Sequence, residues 1–235
     1  MRKVIIDSEI FKQFPRFKRG IIIIEDIENA LGNKRIKKPL NKEIAKRVKE
    51  ETFSKKSFIE AWEKAHLKFN SDPIKYPPSI KALLKRIMKG GGFPFINSVV
   101  ALFNYISIKY IVPCGGDDIT AIEGNLRLGY AKGNETFIPL GGEEIENPQA
   151  GEVIYFDDAT LKVMCRRWNW RNGAFSKITE NTKRIVINVD GIGSIPKSTI
   201  LEARDELAKL LIEQCKAKLM TDLLDINKTE IEVNI

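Results

Sequence analysis

Between Gly124 and Asp190 the sequence breaks into short β-prone segments separated by turns, whereas the chain on either side carries helical periodicity. This change of texture constrains the fold more than any motif does. Helices, then strands, then a helix is not the order of an alternating βαβ chain with a parallel sheet. It predicts an α+β fold: a compact mixed or antiparallel β core, barrel- or sandwich-like, with flanking helices. Strands are expected over 125–131, 136–140, 152–156 and 184–189, and a helix from Pro196 to roughly Met220. Residues 229–233 read as an edge strand. The 235 residues are read as a single domain, with a mainly helical part over 1–96, a β-rich core over 97–191, and the last helix and edge strand over 192–235.

Within the first part, Asp7 or Ser8 caps a short helix through Phe14 that Pro15 stops. The run from Ile21 to Ile24 reads as a strand buried on both faces. A long helical region is expected from Asn41 to about Asn70, with Ile59, Trp62, His66 and Phe69 forming one inward stripe. A basic helix starts at Ser79 and ends at Gly90-Gly91-Gly92, and another spans 97–110.

Composition sorts partners. A formal net charge of +8 favours polyanions in general. Cys114, Cys165 and Cys215 are far apart and form no CxxC pair, which fits buried thiols in a reducing compartment, so the cytoplasm is the expected location. No signal peptide is read at Met1-Arg2-Lys3, and the apolar run at residues 21–24 is far too short to span a membrane. No cofactor and no metal are expected: Gly90-Gly91-Gly92 lacks the Lys-Ser/Thr continuation of a P-loop, and Asp117-Asp118 and Asp157-Asp158 suit turns. The only histidine, His66, lies on the packed stripe, and Cys114 has no base beside it, so no catalytic residue is assigned.

The segment Arg166-Arg167-Trp168-Asn169-Trp170-Arg171 concentrates three guanidiniums and two indoles. Arginine forks match phosphate, and indole faces accept an unstacked base. The opposing reading is a strand whose tryptophans fill the core while its arginines face water, and local pattern alone favours it.

From Asn97 onward a succession of residues resembles a known domain. It runs through Asn97, Val99-Val100, Asn104-Tyr105, Pro113, Asp118, Glu123-Gly124, Ala131-Lys132, Glu135-Thr136, Leu140, Gly142 and Val153-Ile154, then Ser176-Lys177-Ile178-Thr179-Glu180 and Thr182. This collinear order over 97–191 is similar to the tRNA-binding and editing domain of the bacterial phenylalanyl-tRNA synthetase beta subunit, its modules B-three and B-four. The N-terminal stretch, with Tyr76-Pro77-Pro78-Ser79, resembles free-standing relatives of that domain, and a complete tRNA ligase is not expected. In the synthetase the domain hydrolyses tyrosine wrongly esterified to the phenylalanine tRNA. The resemblance therefore implies a tRNA-associated protein that binds, or hydrolyses in trans, a mischarged aminoacyl-tRNA 3′ end. No DNA or membrane partner is expected.

Two departures bear on that chemistry. The family's histidine position falls on Gly115, and its acidic position, in the strand after the Thr-x-x-Thr-like segment, falls on Asn188. An amide accepts a hydrogen bond worth roughly 0.5–1.5 kcal/mol, against about 1.5–3 for a charged partner. Glycine replaces nothing of an imidazole. By position in the resemblance, Gly115, Gly116, Asn169, Gly173 and Asn188 are the expected pocket residues, with Ser176 and Thr179 behind them. Arg166, Arg167, Trp168, Trp170 and Arg171 are the expected tRNA contacts. The alternative is a non-catalytic module that binds a free amino acid or small aromatic ligand.

Overall fold

The computed structural model describes residues 2–29, 34–49, 56–91 and 95–233. Its first half holds β1 (Arg2–Ile6), α1 (Ser8–Gln13), β2 (Lys18–Asp26), α2 (Lys34–Lys49), α3 (Lys56–Lys68), α4 (Ser79–Met88) and α5 (Ser98–Tyr110). There follow β3 (Cys114–Asp118), β4 (Leu126–Tyr130), β5 (Val153–Asp157), β6 (Val163–Arg166), β7 (Arg171–Asn172) and β8 (Ile185–Gly191). The chain continues through α6 (Lys197–Cys215), β9 (Lys218–Leu224) and β10 (Glu230–Val233). The fold is α+β, with one sheet ordered β10-β1-β4-β5-β6-β7 and a second ordered β3-β8-β2-β9. Among the strands of the described residues only β1 and β4 pair in parallel, and neither sheet closes into a barrel there.

The expected strand at residues 21–24 is the centre of β2, and all four isoleucines are buried. The helix read over 41–70 is instead α2 and α3, and the residues between them lie outside those described, as do Gly92, Phe93 and Pro94. The first helix begins earlier than read, because Ile36 and Leu40 on either side of Pro39 are buried in the core. The helix expected to reach Met220 ends at Cys215, where Lys216 turns left-handed at φ 50°. The chain then returns as β9 along β2, which satisfies backbone groups that an edge strand of isoleucines would leave open. Residues 136–140 make only bridges, Thr136 to Lys162 and Pro139 to Gly173, since Pro139 has no N–H for a ladder.

Period-2 alternation assigns each face of the smaller sheet. Gly20, Val189, Ile187 and Gly116 share one face, and Gly20 and Gly191 lie against Ile200 of α6 with little room for a methyl. Arg19, Ile21, Asn188, Asp190, Gly115 and Asp117 share the other. Two buried asparagines join neighbouring elements. Asn97 accepts from the Val100 N–H (2.9 Å) and donates Nδ2 to the Ile178 carbonyl (3.1 Å). Asn29 accepts from the Val99 N–H (3.1 Å) and donates to the Thr179 carbonyl (2.7 Å).

Trp168 pins the helical layer to the strands. Its ring meets Phe14 and Phe17 edge-on at 4.9 Å each, Trp62 of α3 at 5.3 Å, and Phe69 at 6.2 Å. Both Arg167 and Trp168 have positive φ, 46° and 65°, a conformation that costs of order 1–3 kcal/mol per non-glycine residue. Only a well-packed side chain holds such a corner. Trp168→Ala is therefore expected to lower stability by about 3–5 kcal/mol, read from the urea midpoint, while an alanine at half-exposed Trp170 costs much less.

Candidate functional site

The polar face of the smaller sheet does not pack solidly against its neighbour. Between them lies a cavity of about 90 Å³ bordered by Arg19, Cys114, Gly115, Asp117, Asn188 and Asp190 on one side. Tyr155, Cys165, Trp168 and Asn169 border it on the other, with Ser79 at the start of α4. Cross-strand register builds this wall: Arg19 lies opposite Asp190, and Asn188 lies between Ile21 and Gly115. The left-handed corner at Arg167 and Trp168 turns Asn169 toward the same space.

Buried ionic and polar groups meet there. Arg19, 2% exposed, donates Nε to Asp190 Oδ1 (2.7 Å) and Nη2 to Oδ2 (2.8 Å). Burial opposes the Arg19 charge, and the Asp190 carboxylate more than offsets it, so the guanidinium stays charged. Its third nitrogen, Nη1, has no hydrogen-bond partner among the described residues. The same holds for Asn169 Nδ2 and Asn188 Oδ1, buried atoms of cavity residues, while the Tyr155 phenol meets the Asn188 side chain. Leaving a buried polar atom without a partner costs about 1–3 kcal/mol, so their convergence singles out this cavity as the candidate site. Larger grooves exist, about 460 Å³ beside Phe14 and Ile192 and about 600 Å³ between α3 and α4. Neither gathers such a set.

Protonation states follow from enclosure. Asp117 opens to the cavity on one side and is enclosed on the others; burial pushes its carboxyl up to about 6. A hydrogen bond from Ser176 Oγ to Oδ1 (2.6 Å) and the Arg19 charge act in the opposite direction. Burial also raises the Tyr155 phenol and the Cys114 and Cys165 thiols, so all three are protonated at neutral pH and neither cysteine is a ready nucleophile. His66 is fully buried and pushed down to about 4 by that burial, against the effect of Asn169. Its Nε2 lies 3.2 Å from Asn169 Oδ1, where the tautomer with hydrogen on Nε2 donates, and the amide Nδ2 is left for the cavity.

Gly115, Gly116, Asn169 and Asn188 all border the cavity. Only Gly115 leaves open space: a Cβ there meets nothing within 4 Å, whereas one at Gly116 lies 3.0 Å from Ile187 on the packed face. Gly173 stands apart from the cavity, where a Cβ would come within 2.5 Å of the Val163 carbonyl, so its role is close packing. Ser176 reaches the site only through Asp117, and Thr179 is spent on a turn with Thr182.

The expected tRNA contacts are mostly turned inward, and Arg166 and Arg167 do not face water as the opposing reading had it either. Trp168 is 2% exposed with aromatic rings against it, so no base can stack on it. Arg166 donates Nη2 to Glu152 Oε1 (2.7 Å), and Arg167 meets the same carboxylate at 2.8 Å while lying 3.8 Å over the Tyr76 ring. Arg171 remains half-exposed and pairs with Glu146 (3.1 Å); Trp170 packs edge-on to Tyr76 at 4.7 Å. Glu152, fourteen residues before Arg166, explains the difference: a buried acid draws both guanidiniums in.

Arg19, Asp117, Tyr155 and Asp190 were not among the expected site residues. A visible signal was there in part, since Asn188 and Asp190 interrupt an otherwise apolar strand at a spacing of two. Asp117 and Asp118 do point to opposite faces, the second capping the turn at Thr120. Asp157 likewise serves a turn, accepting from the Glu123 and Gly124 N–H groups. Among the described residues, no cluster of His, Cys, Asp and Glu could hold a metal ion, and no helix is long and apolar enough to cross a membrane.

A family model described as the B3/4 domain matches residues 61–216, more than half of the chain and wider than the 97–191 read from the sequence. A crystal structure of an N-terminal fragment of the phenylalanyl-tRNA synthetase beta subunit from Pyrococcus horikoshii is similar, with a TM-score of 0.52 and 13% identity. The match covers 94% of this chain and 53% of that fragment, so the chain spans about half its length. At that identity the likeness is one of fold. No curated protein matches.

His66 and Asp117 give opposite pH dependences. The neutral imidazole belongs to the folded state, so its contribution is present above the ordinary value near 6.5 and is lost as pH falls toward about 4. The protonated Asp117 belongs to the folded state, so its contribution is present below 3.8 and is lost as pH rises through about 6. Across pH 4–6 the two oppose each other. Asp117→Asn is expected to expose a loss of about 3 kcal/mol on acidification from the histidine alone. His66→Gln should reverse that slope. Urea midpoints measured across this interval check it, and parallel slopes in wild type and both variants would refute the assignment.

Proposed function

The chain belongs to the B3/4 domain family, and from that premise we propose that its cavity receives the aminoacyl end of a charged tRNA. The observation that carries this reading is the convergence of Arg19 Nη1, Asn169 Nδ2 and Asn188 Oδ1 on one small space. An aminoacyl ester offers what these atoms lack: a carbonyl oxygen for the guanidinium and amide donors, and an ammonium group for the amide oxygen. Asn188 and Asn169 flank the bound group, and Gly115 leaves it room. The positive end of the α4 helix dipole faces the cavity at Ser79 and favours electron-rich groups there. Phosphates of the acceptor strand meet the exposed Lys85 and Lys89 further along that helix and the half-exposed Arg171. Trp170 offers the remaining indole face.

A second reading, a sensor of free amino acid or a small aromatic ligand, draws support from one observation. Glu152 draws Arg166 and Arg167 inward, which removes the densest cationic feature from the surface. Thermal shift with free amino acids and with tRNA, at two salt concentrations, separates the readings. Salt-sensitive stabilisation by tRNA supports the first, and stabilisation by an amino acid alone supports the second.

The decisive comparison uses tRNA carrying an amide-linked, non-hydrolysable aminoacyl end against the same tRNA uncharged. Tighter binding of the charged form is expected, and equal affinities would remove the cavity from the account. Gly115→Val should keep or slightly raise the unfolding midpoint, since the position is open and strand glycine costs about 0.5–1 kcal/mol. It should also abolish the preference for the charged end, by a factor of about ten or more.

A further inference from the structure

We propose that Asp117 is the proton acceptor for hydrolysis of the aminoacyl ester held in this cavity, with Ser176 as the residue that positions it; this rests on the binding reading above. Asp117 shares a strand face with Gly115 and, across the ladder, with Asn188, so its carboxylate looks along the wall that borders the open space. One oxygen is fixed by Ser176 Oγ at 2.6 Å, and Ser176 itself is buried. The other oxygen accepts no hydrogen bond from the described residues and is the one that a water can use. Arg19, charged and locked by Asp190, supplies the positive potential at the back of the same space.

The rest of the cavity rules out other bases. The thiols of Cys114 and Cys165 and the phenol of Tyr155 hold their protons. Asp190 has both oxygens bound to Arg19. His66 Nε2 is held against Asn169, and the ring does not border the space. Asp117 alone combines an open oxygen with an affinity for protons near 6, close enough to working pH for a base that must both take and return a proton.

The step balances without a further reagent. Asp117 takes a proton from a water molecule, whose oxygen forms a bond to the acyl carbon while the carbonyl electron pair moves onto oxygen. Arg19 Nη1 and Asn169 Nδ2 are the donors placed to meet that oxyanion. The carbonyl re-forms, the bond between acyl carbon and ribose oxygen breaks, and the proton on Asp117 passes to the departing ribose oxygen. The products are a free amino acid and an uncharged tRNA end.

The test uses the full chain with tRNAs charged in turn with small, aromatic and basic amino acids, alongside their amide-linked counterparts. Asp117→Asn is expected to bind the amide-linked form about as well as wild type, within roughly twofold, and to lose deacylation by about a hundredfold or more in kcat. The wild-type kcat/KM should rise with pH through an inflection near 6, and the variant should lack it. Ser176→Ala keeps the carboxylate but removes a hydrogen bond to its charged form, so the inflection should move to higher pH. A variant at position 117 that deacylates at the wild-type rate overturns the proposal. So does a loss confined to KM, which would make Asp117 an ammonium anchor. If wild type binds the amide-linked form yet releases no amino acid, this inference fails and the binding reading stands; if it does not bind, both fail.

Discussion

The position of Trp168 is the constraint on which the architecture turns. A large indole in a left-handed corner is unfavourable alone, and it is held because rings from α1, β2 and α3 and their flanks close around it. That one packing event brings three things into register. The helical layer is fastened to the six-stranded sheet, Asn169 is turned toward the cavity, and Arg167 is drawn in to meet Glu152. The aromatic cluster is thus both the hydrophobic anchor of the fold and one wall of the polar site.

The opposite wall is an exception within an apolar sheet. Arg19 sits in the strand that carries four consecutive isoleucines, and Asp190 closes a strand of similar character. A buried ion pair of this kind contributes little net stability and is sensitive to loss of either partner. Its value lies in fixed charge: a bidentate pair cannot reorient, so the free guanidinium nitrogen has a defined place. Around it the groups that titrate are kept in their uncharged or near-neutral forms, which makes the cavity a preorganised field with a single adjustable carboxyl.

Much of this was legible in the sequence, for definable reasons. The isoleucine run, the inward stripe of α3, the helix over about 97–110 and the α+β order all follow from local periodicity and turn chemistry. Gly115, Asn169 and Asn188 were found by resemblance, and the structure brings them together. What could not be read was long-range. β3 has the composition of a turn and becomes a strand only because β8 offers it an edge. The burial of Arg166 and Arg167 could not be read because their partner Glu152 belongs to another strand region. Arg19 and Asp117 lie 98 residues apart and only the ladders through β8 bring them to one wall.

The paired asparagines at the start of α5 carry a consequence of their own. Asn97 grips the Ile178 carbonyl and Asn29 the Thr179 carbonyl, while both hold the first turn of the helix. The loop that bears Ser176 is thus sewn to the first turn of that helix. Two carboxamides thereby fix the backbone beside the serine whose hydroxyl holds Asp117.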